Sequence, residues 1–244
     1  MSTTLSIIKR EMKGYFGSPV AYVFIVIFLL LAGFFTFQFG HFYESNDANL
    51  RPFFVWHPWL YLFLIPAVGM RLWAEERRTR TIELLLTLPV TLPEAIIGKF
   101  LAGWLFVGIA LILTFPMVIT VGYLGHPDYG QIIAGYIGSF LLAGCYLSVG
   151  SFASSLTRNQ VVAFIVSLVI CLFFVMVGWA PVTEALSGTL PLGVVNFLSS
   201  LSFMFRFESV QRGVIDTRDI VYYASTITFM LAATSVVLTS RKAS

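Results

Sequence analysis

Six long apolar runs separate shorter polar stretches along this chain, at about 19–40, 56–73, 98–124, 131–156, 160–180 and 219–240. Each is near the ~20 residues a helix needs to cross ~30 Å of hydrocarbon. The second is the shortest, and Pro66 lies within it. A lipid-exposed backbone must satisfy its own hydrogen bonds, so the runs predict helices rather than open sheet. Ahead of the first run, Leu5, Ile8, Met12 and Tyr15 recur at helical spacing, with Lys9, Arg10 and Lys13 between them. That pattern predicts an amphipathic helix within residues 1–18, lying in the headgroup layer of an anionic leaflet. The run from Pro19 to Phe39 exceeds the ~7–15 residues of a secretory signal core and has no small-residue cleavage site after it. It is expected to be a retained span.

Two polar-flanked segments break the alternation. Residues 74–97 are predicted to lie on the cytoplasmic side. Residues 181–218 are predicted to lie on the outer side, but Leu190, Val194, Phe197, Leu201 and Phe205 make them too apolar for a free loop. Short helices on or dipping into the outer leaflet are expected there. The fourth run carries Gly135, Ser139, Ala143, Gly144, Ser148, Gly150 and Ser154. Small residues four apart let helix backbones approach, so this stripe is expected to be a packing surface.

Composition supports the bilayer as solvent. Of 244 residues, 58% are hydrophobic and only 11% charged, against about 25% charged in soluble domains. A net charge of +3 gives no reason to expect nucleic acid. Cys145 and Cys171 both fall in apolar runs and suggest neither a disulfide framework nor a metal site. The positive-inside rule sets the orientation. With both termini cytoplasmic, Lys9, Arg10, Lys13, Arg71, Arg77, Arg78, Arg80, Lys99, Arg158, Arg241 and Lys242 fall inside. Only Arg51, Arg206, Arg212 and Arg218 fall outside. Trp56, Trp59 and Trp179 then sit near the outer ends, where interfacial aromatics belong.

No Asp, Glu, Lys, Arg or His falls in the middle of any of the six runs. Ion-coupled transporters and cation channels place such groups there because the ion needs partners. A nucleotide-binding loop is missing as well. The only Gly-Lys pair, Gly98-Lys99, is followed by Phe100, and Pro93 stands where the first glycine of a phosphate-cradling loop belongs. Work done through this chain is therefore expected to come from another one.

Residues 74–90 are where such work would enter. Glu75 and Glu76 precede Arg77, Arg78 and Arg80, and Ile82, Leu85 and Leu86 follow at helical spacing before Pro89. A short helix with charge at its start and an apolar face suits a groove in a cytosolic partner. Glu75-Glu76-x-x-x-Arg80 also fits a motif of the CAAX-type intramembrane proteases, and Phe37-x-x-x-His41 fits a second. The order of the motifs is wrong, however. His41, His57 and His126 are predicted across ~30 Å of bilayer from Glu75, beyond the hydrogen-bond reach that base catalysis requires.

The same stretch carries a family likeness. Trp59 to Ala67, Met70-Arg71-Leu72, Glu75-Glu76-Arg77-Arg78, Thr81-Ile82-Glu83-Leu84-Leu85, Pro89-Val90-Thr91 and Gly98-Lys99-Phe100 resemble the ABC-2 type permeases. Within them, the chain looks closest to the gliding-motility-associated branch. Phe207, Arg212 to Asp216, Arg218-Asp219, Tyr222-Tyr223 and Arg241-Lys242 resemble that branch near its C-terminus. One departure is Arg80, where the family usually has glycine before the threonine.

The resemblance implies an all-α integral membrane protein with a single ABC-2, type V exporter-like domain over 1–244. It has six spans, an interfacial N-terminal helix, a cytoplasmic coupling helix and short outer helices before the last span. It implies a non-catalytic subunit of a bacterial inner-membrane exporter, paired with a second copy or a related membrane subunit and served by two ABC ATPase subunits. ATP and Mg would sit on the ATPases, with no cofactor on this chain. A further partner with a large periplasmic domain is implied by the branch. Coupling is expected at Glu75, Glu76, Arg80, Thr81, Glu83 and Leu85. The second and fifth spans are expected to line a path between subunits, through Trp59, Phe63, Pro66 and Met70 on one and Ser167, Cys171, Phe174 and Gly178 on the other. From periodicity alone, such stripes are more often plain helix packing than a pathway. The alternative to transport is a membrane anchor or assembly scaffold.

Overall fold

The computed structural model describes residues 3–40, 42, 48–79, 91–188 and 190–240. Among these every regular element is helical. In chain order they are α1 (Thr3–Phe16), α2 (Pro19–Phe34, extended by a π-helical turn Phe35–Phe39), α3 (Arg51–Val55), α4 (His57–Gly69) and α5 (Arg71–Thr79). There follow α6 (Leu92–Ile112), α7 (Pro116–Leu124), α8 (Tyr129–Leu156), α9 (Gln160–Met176), α10 (Ala180–Ser187), α11 (Leu192–Ser200), α12 (Phe203–Gln211) and α13 (Thr217–Ser240).

The helix starts are set locally. The side chains of Ser18, Asp128, Asn159 and Ser202 accept hydrogen bonds from backbone N–H groups in the first turns of α2, α8, α9 and α12. At the start of α6 the Glu94 carboxylate reaches back to the Thr91 N–H at 2.9 Å, half of a capping box. Pro19, Pro58, Pro93, Pro116 and Pro181 stand in first turns, where a missing N–H costs nothing.

Four stretches among the described residues are long and apolar enough to cross a bilayer: Pro19–Phe39, Leu92–Leu124, Tyr129–Leu156 and Thr217–Ser240. The helices α9 and α10, bent by 66° at their junction, make a fifth if taken together. The expected second span differs from a single helix over 56–73. It is split at Met70 into α4, of 13 residues, and the charged α5, of 9. At 1.5 Å per residue α4 reaches only about 20 Å, so alone it is too short to cross ~30 Å of hydrocarbon. Residues 181–218 do form short helices, and α12 buries Phe203, Phe207 and Val210.

The centre of the molecule is α8, most of whose residues are buried. It touches α4, α5, α6, α9, α12 and α13. Its small residues receive these neighbours: the Phe54 ring lies over Gly135, Val210 over Gly138, and Trp104 and Ile227 over Gly144. The closest approach is to α4. A Cβ on Gly69 would lie 2.8 Å from the Cα of Gly150, so the two backbones meet with nothing between them. Gly213, at φ 86°, turns the chain between α12 and α13 in a conformation that side-chain-bearing residues rarely adopt. The amphipathic α1 does not stand alone. It packs along α6, with Ile7 buried against Gly98 and Tyr15 stacked on Phe106 at 5.0 Å.

Replacing Gly69 with leucine is expected to force α4 off α8 and destabilise the fold by about 2 kcal/mol or more. Gly33→Leu, with no neighbouring atom within 4 Å, is the control. Thermal unfolding of both variants in the same detergent checks this, and equal unfolding temperatures would refute the close crossing.

Candidate functional site

The joint between α4 and α5 lies against the last turns of α8. Breaking a helix at Met70 exposes backbone donors and acceptors in the protein interior, where each must find a partner. One hydroxyl serves several of them. The Ser154 Oγ donates to the Met70 carbonyl at 2.8 Å and accepts from the N–H groups of Trp73 at 3.0 Å and Ala74 at 2.9 Å. The start of α5 is thus capped by a residue eighty positions away. One turn back along α8, the Ser151 Oγ accepts from the Trp73 indole N–H at 3.1 Å. The Arg77 guanidinium donates to the Ser155 carbonyl. Leu72, Trp73 and Ala74 are fully enclosed by these contacts.

Glu76 turns toward α6. Its carboxylate lies 2.7 Å from the Lys99 ammonium, which also meets Glu11 of α1 at 3.1 Å and sits 5.6 Å from the Trp73 ring centre. Lys99 is only 4% exposed. A buried cation needs full compensation, and here two carboxylates and an aromatic face supply it. Arg10, 2.9 Å from Glu11, balances the second carboxylate from outside. Burial raises the Glu11 carboxyl, but the neighbouring Lys99 and Arg10 charges more than reverse this and hold it below the usual value. Three elements distant in sequence, α1, α5 and α6, are thereby tied by one lysine.

The expected coupling residues divide as follows. Glu75 lies on the more open side of α5, 3.6 Å from Arg71, and Glu76 faces Lys99. Arg80, Thr81, Glu83 and Leu85 lie outside the described residues, as do Ile82 and Leu86.

The residues expected to line a path are mostly drawn into the chain's own packing. The Trp59 ring meets Trp179 edge-on at 5.9 Å, Phe174 stacks on Phe203 at 4.9 Å, and Gly178 sits tight against Ser202. Pro66, Ser167 and Cys171 are buried, and the Met70 carbonyl is held by Ser154. Phe63 alone of the set is largely exposed. The outward face of α9 carries other residues: Val161, Ile165, Val169 and Phe173.

His57 opens α4, buried among the rings of Phe53, Phe54, Phe28 and Tyr61. It occupies the end of α4 opposite Glu75, an arrangement that gives a hydrolytic base no acid within reach. No cluster of three metal-ligating side chains occurs among the described residues.

Sequence reasoning missed Ser151, Ser154, Trp73 and Lys99 as a unit. The signal present was the spacing Ser151-x-x-Ser154-Ser155 in an otherwise apolar helix, together with a lysine just inside an apolar run.

Compared with known families, residues 5–240 match the family described as ABC-2 family transporter protein. No curated protein matches the chain.

Lys99→Met leaves two partly buried carboxylates without the cation they share and is expected to cost about 3 kcal/mol, read as a lower unfolding temperature. The Glu11 pairing carries a pH signature. Its folded-state value is depressed, so its stabilisation is complete above the ordinary carboxylate value of the unfolded chain and is lost as pH falls through the lower folded one. Wild type is expected to lose more stability than Glu11→Gln between neutral and acid pH, and parallel melting curves would contradict the pairing.

Proposed function

The chain belongs to the ABC-2 family of transporters, and from that we propose that it is a permease subunit worked by a separate ATPase on the cytoplasmic side. It is a multi-pass membrane protein and a transmembrane permease subunit of that family. Coupling to the ATPase is the step proposed here. The observation that carries it is the fixing of α5. This helix leads directly into the segment whose residues resemble the family's coupling helix. It is bound to the central helix α8 through Ser151, Ser154 and Ser155, and to α1 and α6 through Lys99. A push delivered to α5 would therefore enter the middle of the bundle through hydrogen bonds and ion pairs. In this reading Glu76 acts by bracing α5, while Glu75, Arg80, Thr81, Glu83 and Leu85 offer contact to the ATPase.

Further parts of the proposal rest on other grounds. Six crossings follow if α4 with α5, and α9 with α10, each count as one. Both termini lie in the cytoplasm if basic residues mark that side. Lys99, paired with Glu76, and Arg77, bonded to the Ser155 carbonyl, gather at the α5 end of the bundle, whereas Arg206, Arg212 and Arg218 gather around α12 and the start of α13. A bacterial inner membrane, two ATPases carrying ATP and Mg, and pairing with a second copy or a related subunit follow from the family likeness. So does a partner with a large periplasmic domain, which is the hallmark of the gliding-motility-associated branch in this reading. ATP-driven motion would export a substrate or be transmitted to that partner.

Two measurements test the proposal. In complexes reconstituted with the cognate ATPase, Glu76→Ala is expected to lower ATP turnover about fivefold or more, the size of an ordinary coupling energy. Unchanged turnover with unchanged complex yield would favour a scaffold without coupling. For orientation, Arg78→Cys and Arg212→Cys are labelled in intact cells with a membrane-impermeant thiol reagent. Cys145 and Cys171 are buried and give little background. Only the Arg212→Cys protein is expected to react, and labelling at position 78 instead would invert the topology.

A further inference from the structure

The helix α1 presents two sides of opposite character. Ile7, Glu11 and Tyr15 recur at every fourth residue and turn inward, onto Gly98, Lys99 and Phe106 of α6. On that side α1 also helps to close a cavity of about 530 Å³ shared with α2, α4 and α5. Leu5, Lys9 and Lys13 follow the same four-residue step, and all three are exposed. Residues four apart on a helix lie about 6 Å from each other. The two lysines are thus a fixed pair of cations on the open face of a helix that is itself bolted to α6.

The neighbouring acids are engaged elsewhere. Glu11, the one carboxylate within α1, lies 2.9 Å from Arg10 and 3.1 Å from Lys99. The main neighbours of α1 are α6 and α2. No charged residue occurs in α2, and of the two in α6, Glu94 closes on the Thr91 N–H while Lys99 is turned inward. Lys9 and Lys13 have no ion-pair or hydrogen-bond partner among the described residues.

The position of this face decides what meets it. Lys13 stands in the last turn of α1. The Tyr22 hydroxyl donates to the Phe16 carbonyl at 3.1 Å and fixes the corner from which α2 departs. Beyond the corner, Val20, Tyr22, Val23, Val26 and Ile27 are exposed on a stretch long and apolar enough to span a bilayer. The open face of α1 therefore begins where hydrocarbon ends, at the level of the lipid phosphates. Exposed Leu5 and half-buried Met12 and Phe16 give it an apolar edge. Lysine stems lie along such an edge while their ammonium groups reach phosphate oxygens. A water-soluble acidic partner would leave that edge unused. A zwitterionic lipid would bring its own ammonium against two cations, whereas a head of net negative charge neutralises them.

We propose that the open face of α1 binds the head group of an anionic phospholipid, its phosphate between Lys9 and Lys13 and its acyl chains along the first turns of α2. Through Glu11 and Lys99 the same helix holds α5, so the bound lipid anchors the end of the bundle at which α5 is braced. This goes beyond the coupling proposed above and requires neither ATPase nor ATP.

The full chain is placed in phosphatidylcholine nanodiscs containing rising fractions of a phosphatidylglycerol that bears a diazirine near its head group. After irradiation, crosslinks are mapped by mass spectrometry. Saturable labelling is expected on α1 and the first turns of α2. Lys9→Gln and Lys13→Gln should each raise the half-saturating fraction about fivefold, the value of one basic residue at an anionic surface. Lys9→Arg should leave it nearly unchanged, as should Arg218→Gln, an exposed cation at the start of α13. Raising salt to about 1 M should shift wild type in the same direction as the glutamine variants, a result that does not depend on any variant folding. The proposal is overturned if a matched phosphatidylcholine probe labels α1 with the same half-saturating fraction, if both glutamine variants label like wild type, or if inorganic phosphate competes as well as phosphatidylglycerol. It is equally overturned if the cognate ATPase, added without nucleotide, removes the labelling, which would make this face a protein contact.

Discussion

The architecture depends on satisfying the backbone where the second membrane segment breaks. A helix interrupted within a dry bundle has polar groups that neither lipid nor side chains of its own segment can reach, and leaving them bare costs several kcal/mol each. Here Ser154 stands opposite the break, with one hydroxyl donating to the last carbonyl of the first half and accepting from two amides of the second. That arrangement requires α8 to lie close to α4. The backbone contact at Gly69 and Gly150 permits it. Pull the two helices apart and both the packing and the cap are lost together. The short, charged α5 is therefore an extension of the core rather than a loop hung below it.

The few charges in this chain are placed with the same economy. Lys99 would be a liability in the interior if it were alone. Paired with Glu11 and Glu76 over the Trp73 indole, it joins α1, α5 and α6. At the other end, Arg206 lies over the Tyr222 ring and 3.4 Å from the buried Asp219, binding α12 to the start of α13. Each pair replaces what would otherwise be a loose contact between elements with an interaction that is costly to break. In the proposed coupling, a force entering through α5 would meet this joint and pass to α8, around which most of the other helices are arranged.

The fifth apolar segment shows why a stripe of residues does not declare its own partner. Ser167 and Cys171 fall on the face of α9 that closes against α8 and α4, while Val161, Ile165, Val169 and Phe173 on the opposite face remain open. In a soluble protein the more apolar face would be the inner one. In a bilayer the rule loses its force, since lipid accepts Val and Phe as readily as protein does, and small or weakly polar residues gather where helices touch. The cavity beside α2 follows a different logic. It lies where an amphipathic surface helix, a span and the joint meet, and no periodicity within a single element describes it.

Much of this was legible in the order of residues. Apolar runs of bilayer length, the absence of mid-span charge and the small residues of α8 are local properties that hold wherever the segment lies. Helical structure, multiple crossings, the packing role of α8 and the short helices after α9 follow from them. The break at Met70, the trans cap by Ser154, the burial of Lys99 between Glu11 and Glu76, and the inward turn of Ser167 and Cys171 do not. Each joins residues distant in the sequence or decides which face of a helix turns inward. The energy that decides among them is that of contact between helices, and only the folded bundle supplies it.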